Sequence, residues 1–418
     1  MARRNKDKDS AGKLSIAEMR KMINKKHGQN VAHNLVEENP TNVKDFIPTG
    51  SRWLDSIICK GRRGGIPVGK IVEIAGLEAT GKSFMAAQVA ANAQQMGIDV
   101  VYFDSESAID SNFLAAAGCD PENILYIQAT SVEFVLETIE DILAHNSSRV
   151  LFIWDSLALT PSNTDIEGDF NPLSSMAVKP RILSKGMSKL TVPIANSEAT
   201  LLVLNQLKTN ITSNLSEKFT TPYFTPGGKA MAYAYSLRIW LTGFKSKKSF
   251  VMNDKGFRVG SEVKAKIEKS RFGTAGRVCN FKILWGDAVG VQDEESWFDA
   301  VKGSKHIDQS GAWFTLTHED GTTEKFQAGR WMEKMANEKF KARIAQIMDE
   351  EVITKFSEMT GDAADFYDTE EEEETSLAQS SAFPSALSSA KAKVRRGGMR
   401  AAASLLKNSA NRNPDVEE

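Results

Sequence analysis

The sequence is poor in cysteine, has no long apolar run and carries almost no net charge. Its three cysteines, Cys59, Cys119 and Cys279, lack metal-ligand spacing, which argues against a zinc site and favours a reducing compartment. No run is long enough for a membrane span and the polar, basic N-terminus is unlike a signal peptide, so we expect a cytoplasmic protein without membrane partners. Because 52 Lys and Arg face 54 Asp and Glu, any nucleic-acid binding must depend on local loops.

One stretch carries a strong chemical signal, since residues 76–83 fit the phosphate-binding pattern G-x-x-x-x-G-K-[ST]. It follows a strand-like run at 70–75 and precedes an Ala-rich run at 84–95 that is predicted to be helical. Loop N–H groups and the helix N-terminus bind phosphate, while Lys82 is predicted to reach the β- and γ-phosphates of ATP and Ser83 to bind Mg²⁺. The predicted ATP-binding loop comprises Gly76, Leu77, Glu78, Ala79, Thr80, Gly81, Lys82 and Ser83.

Short apolar runs alternate with helical patterns, which predicts a parallel α/β sheet. In such sheets ligands bind beyond the carboxyl ends of the strands, where Glu106, Asp155 and Gln206 fall. Asp155 is predicted to hold Mg²⁺, and Gln206 to connect the γ-phosphate with the loop that follows it. Glu106 is the candidate general base, although Asp104 is a rival and an ordinary turn acid is equally consistent with the position. The strands concerned are predicted at 100–103, 123–128, 149–154 and 200–204.

The stretch 207–228 is polar and aperiodic, which predicts a mobile functional loop. It interleaves cations with aromatic rings, a combination that suits single-stranded DNA, although a solvated loop with its rings packed down is equally consistent. Farther along, Lys269 and Arg271 follow a strand-like run and could act on a neighbouring protomer's nucleotide, but ordinary surface cations are commoner. The interleaved residues are Lys208, Lys218, Phe219, Tyr223, Phe224 and Lys229.

Four segments are predicted along the chain. Residues 1–44 are a polar N-terminal tail whose helix is either a packing appendage or a docking arm for oligomerisation, and 45–286 are an ATPase core. Residues 287–366 are a C-terminal domain, and 367–418 a disordered tail, acidic and then rich in Ser, Ala and basic residues. Further helices are predicted at 14–26, 132–144 and 336–348, and further strands at 232–241, 262–269 and 280–285.

These motifs, in this order, resemble the RecA family of homologous-recombination ATPases, and within it the phage UvsX-type recombinases. The resemblance covers about residues 45–345 and implies an α/β fold: a RecA-like P-loop ATPase core with a mostly parallel central sheet, an N-terminal helical segment and a small C-terminal α+β domain. It also implies an ATP- and Mg²⁺-dependent helical filament on single-stranded DNA that pairs with homologous duplex DNA and exchanges strands. A single-strand-binding protein and a loading mediator are expected partners. The signature segments are Thr49–Ser51, Leu54-Asp55, 65–76, 104–110, Asp155-Ser156, Asn205-Gln206, 226–228, 268–271 and 310–313.

The resemblance assigns nucleotide roles residue by residue. Glu106 matches the water-activating glutamate, which favours it over Asp104, and Gln206 matches the γ-phosphate sensor. Lys269 and Arg271 match cations that reach ATP across the subunit interface. The expected catalytic residues are Glu106, Lys82 and Gln206, and the positions that match those flanking adenine are Asp110 and Phe113.

The resemblance also identifies 163–175 and 207–228 as the two DNA loops. Ser188 and Ala232 stand where RecA has an Arg and a Lys, so the DNA contacts are expected to differ in detail. A hexameric helicase with the same fold and a nucleotide-gated recombination mediator are the alternative functions. The expected DNA-binding residues are Asn163, Arg181, Lys208, Asn210, Lys218, Phe219, Phe224, Gly227, Gly228 and Lys229.

Overall fold

The computed structural model describes residues 14–28, 31–36, 39–168, 177–210, 222–243, 249–285 and 289–353. The helices are α1 (Ile16–His27), α2 (Arg52–Ile58), α3 (Lys82–Gln95), α4 (Ser111–Ala116), α5 (Val132–His145), α6 (Asn163–Glu167), α7 (Val178–Asn196), α8 (Gly228–Ala234), α9 (Asp293–Val301), α10 (Trp331–Met335) and α11 (Glu338–Ile347). The strands up to the second predicted loop are β1 (Phe46–Ile47), β2 (Ile66–Pro67), β3 (Ile71–Gly76), β4 (Asp99–Asp104), β5 (Ile124–Gln128), β6 (Val150–Asp155), β7 (Thr200–Gln206) and β8 (Lys208–Thr209). The later strands are β9 (Tyr223–Phe224), β10 (Leu237–Gly243), β11 (Phe250–Met252), β12 (Arg258–Ser270), β13 (Val278–Leu284), β14 (Gly290–Val291), β15 (Ile307–Ser310), β16 (Trp313–Thr317) and β17 (Thr323–Gln327).

A ten-stranded sheet forms the centre of the fold, in the order β14-β13-β12-β10-β3-β7-β6-β4-β5, with β11 paired to β12. From β10 to β5 all neighbouring strands are parallel. From β10 to β14 the pairing is antiparallel. The predicted α/β class with a mostly parallel central sheet is therefore confirmed.

The central strands are buried on both faces, which explains their nearly continuous apolar sequences. Every residue of β3 and of β6 is buried. On one face, the Ala-rich helix α3 packs closely because Ala86, Ala87 and Ala90 present only methyl groups and are fully buried. On the other face, α5 and α7 contribute Val135 and Leu183 to a second core. These two layers hold the carboxyl ends of the parallel strands in fixed register.

The region after β14 has an aromatic-rich core of its own. A three-stranded antiparallel sheet, β15-β16-β17, packs with α9, α10 and α11. Arg52 of α2 joins this region to the central sheet, since its backbone N–H donates to Asp293 at 2.7 Å and its guanidinium pairs with Asp349 at 2.8 Å. The four-segment division stays a prediction, and residues 1–13 and the predicted tail at 367–418 lie outside the described residues.

The predicted helices at 14–26, 84–95, 132–144 and 336–348 are confirmed within one or two residues at most ends. The predicted strand at 232–241 is wrong at its start, because α8 continues to Ala234 and the strand begins only at Leu237. Ala230, Ala232 and Ala234 favour a helix because Ala has the highest helix propensity, and the helix ends before the buried pair Tyr235-Ser236.

Both predicted DNA loops are more regular at their ends than expected. The first begins with the short helix α6, where Ser162 and Asp165 exchange hydrogen bonds in a capping box. The second is closed at its base by β8 and β9, which pair antiparallel with Lys208 opposite Phe224. The interiors of both loops, 169–176 and 211–221, lie outside the described residues.

Candidate active site

The loop between β3 and α3 lies at the carboxyl edge of the sheet, next to the end of β7. Gly76 is in register with Gln206, and the Leu207 N–H donates to the Gly76 carbonyl oxygen at 3.0 Å. On the other side, the Leu77 N–H donates to the Leu241 carbonyl oxygen at 3.2 Å. Gln206 and the P-loop are thus joined through adjacent backbone.

The conformation of this loop explains its glycine pattern. Gly81 has φ +80°, and a Cβ there would lie 2.5 Å from Cδ1 of Ile283 on β13. Ala79 also has positive φ, at 55°. The Thr80 hydroxyl and the Lys82 ammonium donate to the Leu77 carbonyl oxygen at 2.8 and 3.0 Å. Among the described residues no side chain caps the N-terminus of α3, so its first N–H groups can bind phosphate oxygens.

Three charged groups converge beside the loop. Burial lowers the pKa of Lys82, and the Asp155 and Glu106 carboxylates oppose that shift. Burial raises the pKa of Asp155, whereas hydrogen bonds from Ser83 and Tyr102 lower it. The Tyr102 hydroxyl donates to Asp155 at 3.0 Å. Lys82 thus lies near both acids, and Ser83 near Asp155, which is the donor arrangement that ATP with Mg²⁺ requires.

The structure distinguishes the two candidate bases. Asp104 is 2% exposed, and its carboxylate accepts backbone N–H groups from Glu106, Ser107, Ala108 and Ile109 at 2.8 to 3.3 Å. It also accepts the hydroxyl of Tyr126 at 3.1 Å. Because five donors occupy its two oxygens, the Asp104 carboxylate has little capacity left to accept a hydrogen bond from an attacking water. Asp104 therefore builds the turn that carries the second candidate.

Glu106 is the acid that this turn presents to the site. It is exposed, and one carboxylate oxygen accepts the Ser156 hydroxyl at 2.7 Å. Ser156 follows Asp155 directly, and the Ser105 N–H donates to the Asp155 carbonyl oxygen at 2.7 Å. The ends of β4 and β6 are thus joined, and Glu106 keeps an oxygen available for water beside Lys82.

Comparison with known proteins identifies the family of this chain. The family model described as the RecA N-terminal domain matches residues 14–290. Protein RecA of Saccharopolyspora erythraea is 30% identical over 335 residues, covering 79% of this chain and 91% of that protein. Protein RecA of Mycolicibacterium smegmatis is 31% identical over 321 residues, covering 76% and 85%. The chain belongs to the RecA family.

As a RecA-family member, the chain is an ATP-dependent recombinase of DNA recombination and repair, and the helicase and mediator alternatives gain nothing from these matches. Proteins of the RecA family are DNA-dependent ATPases that use ATP with Mg²⁺ and form filaments on DNA. The closer likeness to phage UvsX-type recombinases stays a prediction. Within the described ranges no helix has the length and apolarity that a membrane crossing requires.

The two residues that the RecA resemblance places beside adenine lie at the start of α4. Asp110 caps this helix by accepting the Phe113 N–H at 2.7 Å. The Phe113 ring packs edge-on against Phe84 of α3, with ring centroids 5.7 Å apart. Phe113 therefore packs against α3, the helix that directly follows the P-loop.

Lys269 and Arg271 lie far from the P-loop of their own chain. Lys269 is in register with Arg238, which is in register with Glu73, and Arg271 follows toward the amino end of β3. The amino end of β3 is about 16 Å from its carboxyl end at 3.3 Å per residue. Lys269 donates to the Ala232 carbonyl oxygen at 2.7 Å, and Arg271 to that of Tyr233 at 3.1 Å. Both cations therefore cap the end of α8.

Most of the predicted DNA-binding residues fall within the described part of the chain, near the ends of the two loops. Asn163 begins α6, and Arg181 is exposed near the start of α7. Gly227 and Gly228 precede and begin α8 with φ +107° and +82°. The remaining described members, which flank the base of the second loop, are Lys208, Asn210, Phe224 and Lys229. Two predicted members, Lys218 and Phe219, lie outside the described residues.

Two features of these loops were not predicted. The Lys179 ammonium donates to the carbonyl oxygens of Leu157, Ala158 and Thr160 at 2.7, 3.1 and 2.6 Å. These hydrogen bonds connect the two ends of the first loop. Burial lowers the pKa of Lys179 to about 8, Asp165 opposes that shift and Lys208 adds to it. The second feature is a buried ion pair between Glu73 of β3 and Arg238 of β10. Its only signal in the sequence was Glu73 itself, an isolated acid inside an apolar strand.

Proposed function

We propose that the P-loop and the neighbouring strand ends bind ATP with Mg²⁺ and hydrolyse it. Lys82 would pair with the β- and γ-phosphates, Ser83 and Asp155 would hold the metal, and Glu106 would orient and deprotonate the attacking water. When bound, ATP supplies the bond that is cleaved, and Mg²⁺ supplies charge that offsets the developing negative charge. The observation that carries this proposal is the convergence of Lys82 with Asp155 and Glu106 at one loop.

The metal would depend on few protein ligands. In the part of the chain that the structure describes, no three His, Cys, Asp or Glu side chains lie close enough together to hold a metal ion. Ser83 and Asp155 would therefore share Mg²⁺ with phosphate oxygens, which is usual for this ion because it retains water and phosphate ligands.

ATP is proposed to lie between protomers of a helical filament on single-stranded DNA. Arg271 lies at the amino edge of the parallel strands, Lys269 lies on their amino half, and the P-loop lies at the carboxyl edge. This separation supports action on a neighbour's phosphates in head-to-tail assembly. Gln206 would link γ-phosphate binding to the second DNA loop, and both loops would grip the strand. The filament would then pair its strand with homologous duplex DNA. Its partners would include a single-strand-binding protein and a loading mediator, and its location would be cytoplasmic.

Mixing two inactive variants tests the interface directly. Lys82→Ala removes the cation that the P-loop face contributes to the shared ATP site, and Lys269→Ala removes the cation that the opposite face contributes. Each variant alone should therefore lose DNA-stimulated ATP hydrolysis. In an equimolar mixture, about a quarter of the interfaces combine two intact faces, so about a quarter of wild-type activity should return. Lys264→Ala, an exposed Lys on the same strand, is the control and should be fully active alone.

No recovery in the mixture would show that Lys269 acts within its own chain or not on ATP at all. Full activity of Lys82→Ala alone would refute the nucleotide site itself. Electron microscopy of the same mixture on single-stranded DNA would show whether the active assembly is an open filament or a closed ring.

A further inference from the structure

A buried polar network connects three central strands with residues 222–226, the segment by which the second loop returns to α8. This segment is called the returning arm. The Arg238 Nε of β10 pairs with Glu73 of β3 at 2.6 Å. The other Glu73 oxygen accepts the side-chain amide of Asn205 on β7 at 2.9 Å. Asn205 also donates to the Pro226 carbonyl oxygen at 3.0 Å, and the Arg238 Nη2 donates to the Thr225 hydroxyl at 2.8 Å. Two consecutive loop residues are thus held by side chains from the sheet.

The charged members of this network are held rigidly. The Glu73 side chain is fully buried, and that of Arg238 is 12% exposed. Burial raises the pKa of Glu73, and the Arg238 guanidinium opposes this shift. The guanidinium also lies 5.8 Å from the ring centroid of Tyr235 and 5.6 Å from that of Trp240. A buried ion pair is weak evidence for stability, because desolvation offsets its attraction, but it does fix geometry.

Asn205 is the point where this network meets the nucleotide sensor. Its side-chain oxygen accepts the backbone N–H of Gln206 at 2.9 Å. Its side-chain nitrogen donates to both Glu73 and Pro226, so every strong hydrogen-bonding group of the amide is used. Pro226 directly precedes Gly227 and Gly228, which begin α8. A shift of the backbone at Gln206 must therefore disturb the amide that holds the returning arm.

We propose that Glu73, Asn205 and Arg238 are positioning residues that couple the end of β7 to the returning arm of the DNA loop, with Thr225 as the residue by which they hold it. This inference rests on the proposed function, because it assumes that Gln206 senses ATP and that the loop grips single-stranded DNA. The outgoing arm follows Gln206 in the chain, and the network gives the returning arm a second, through-space connection to the same point.

Thr225→Val tests the network without breaking the buried ion pair, because it removes only the hydroxyl that Arg238 contacts. The affinity for a fluorescein-labelled oligo(dT) would be measured with a non-hydrolysable ATP analogue, with ADP and without nucleotide. In the wild type the analogue should tighten binding relative to ADP. Thr225→Val should reduce that ratio about tenfold, as expected for one hydrogen bond to a charged group, and Thr225→Ser should restore it.

The control is Thr242→Val on β10, whose hydroxyl lies 3.4 Å from a carbonyl oxygen and away from the loop. Its affinity ratio should equal that of the wild type. A Thr225→Val protein that melts earlier but keeps the wild-type ratio would show that the network is merely structural, and overturns the inference. A wild type that binds equally tightly with all three nucleotide conditions would instead refute the proposed function, and this inference with it.

Discussion

Asp104→Asn tests whether the catalytic turn is built by one carboxylate. One Asp104 oxygen accepts the N–H groups of Glu106 and Ser107 at 2.8 and 2.9 Å. The other accepts those of Ala108 and Ile109 at 3.1 and 3.3 Å, together with a tyrosine hydroxyl. In either orientation, the asparagine amide turns a donor toward at least two N–H groups and loses their hydrogen bonds.

The cost of that substitution can be estimated from the number of bonds lost. Hydrogen bonds to a charged group contribute about 1.5–3 kcal/mol each, and neutral ones about 1 kcal/mol. Loss of two bonds to the charged carboxylate should destabilise the turn by about 3–6 kcal/mol. If Glu106 must return to its place in the transition state, kcat should fall about 100-fold or more. ATP binding should change little, because Asp104 makes no contact with the P-loop among those described.

A double-mutant cycle decides what Asp104 does. The measurement is DNA-stimulated ATP hydrolysis by wild type, Asp104→Asn, Glu106→Gln and the double variant. If Asp104 acts only by placing Glu106, its substitution should have almost no effect once Glu106 is already disabled. A further large loss in the double variant would refute the reasoning and assign Asp104 its own catalytic role. Asp120→Asn, a surface carboxylate that also accepts a backbone N–H, is the control and should remain active.

Two other substitutions test further parts of the structure. Lys179→Met leaves three carbonyl oxygens at the base of the first loop without their donor, so single-stranded DNA affinity should fall several-fold while DNA-free ATP binding is unchanged; Lys189→Met, on the same helix but paired with Glu140, should bind normally. Burial raises the pKa of Asp55 to about 7, so the folded chain holds this proton more tightly than the unfolded chain and the free energy of unfolding falls as pH rises from about 4 to 7. Asp55→Asn should remove that dependence. In urea unfolding at pH 8, the variant should be more stable than the wild type by up to about 4 kcal/mol, at 1.36 kcal/mol per pKa unit. The same difference in stability between variant and wild type at pH 5 and at pH 8 would contradict this prediction.

The P-loop and its place in the fold were predictable because its residues are contiguous in the chain. Residues 76–83 form a loop whose conformation depends on its own glycines, and strands that end in an acid or an amide identify the sheet edge. Position alone could not separate Glu106 from Asp104, because Asp104 ends β4 and Glu106 follows only two residues later. The RecA resemblance favours Glu106, and the turn gives a physical reason, since the Asp104 carboxylate binds the backbone whereas Glu106 is exposed.

The parts that sequence reasoning missed depend on contacts between distant residues. Glu73 and Arg238 are 165 positions apart, and no local pattern connects them. The end of α8, from Ala232 to Ala234, was predicted as part of a strand because its apolar residues also suit a sheet, whereas tertiary contacts decide the outcome. Lys269 and Arg271 cap the end of that helix, which adds a reason for it to stop at Ala234.

At the proposed filament interface, Lys269 and Arg271 would also give α8 a role in assembly. In this chain their donors are directed to carbonyl oxygens at the end of α8, which begins where the second loop returns to the sheet. If they bind a neighbour's phosphates, they can do so with their remaining N–H groups, because an ammonium has three donors and a guanidinium five. Lys269 and Arg271 would then connect the neighbour's nucleotide to the end of α8. In the proposed head-to-tail assembly, one protomer's nucleotide would thus contact cations bonded to the helix that follows the next protomer's DNA loop, which a closed two-fold dimer could not repeat along a strand.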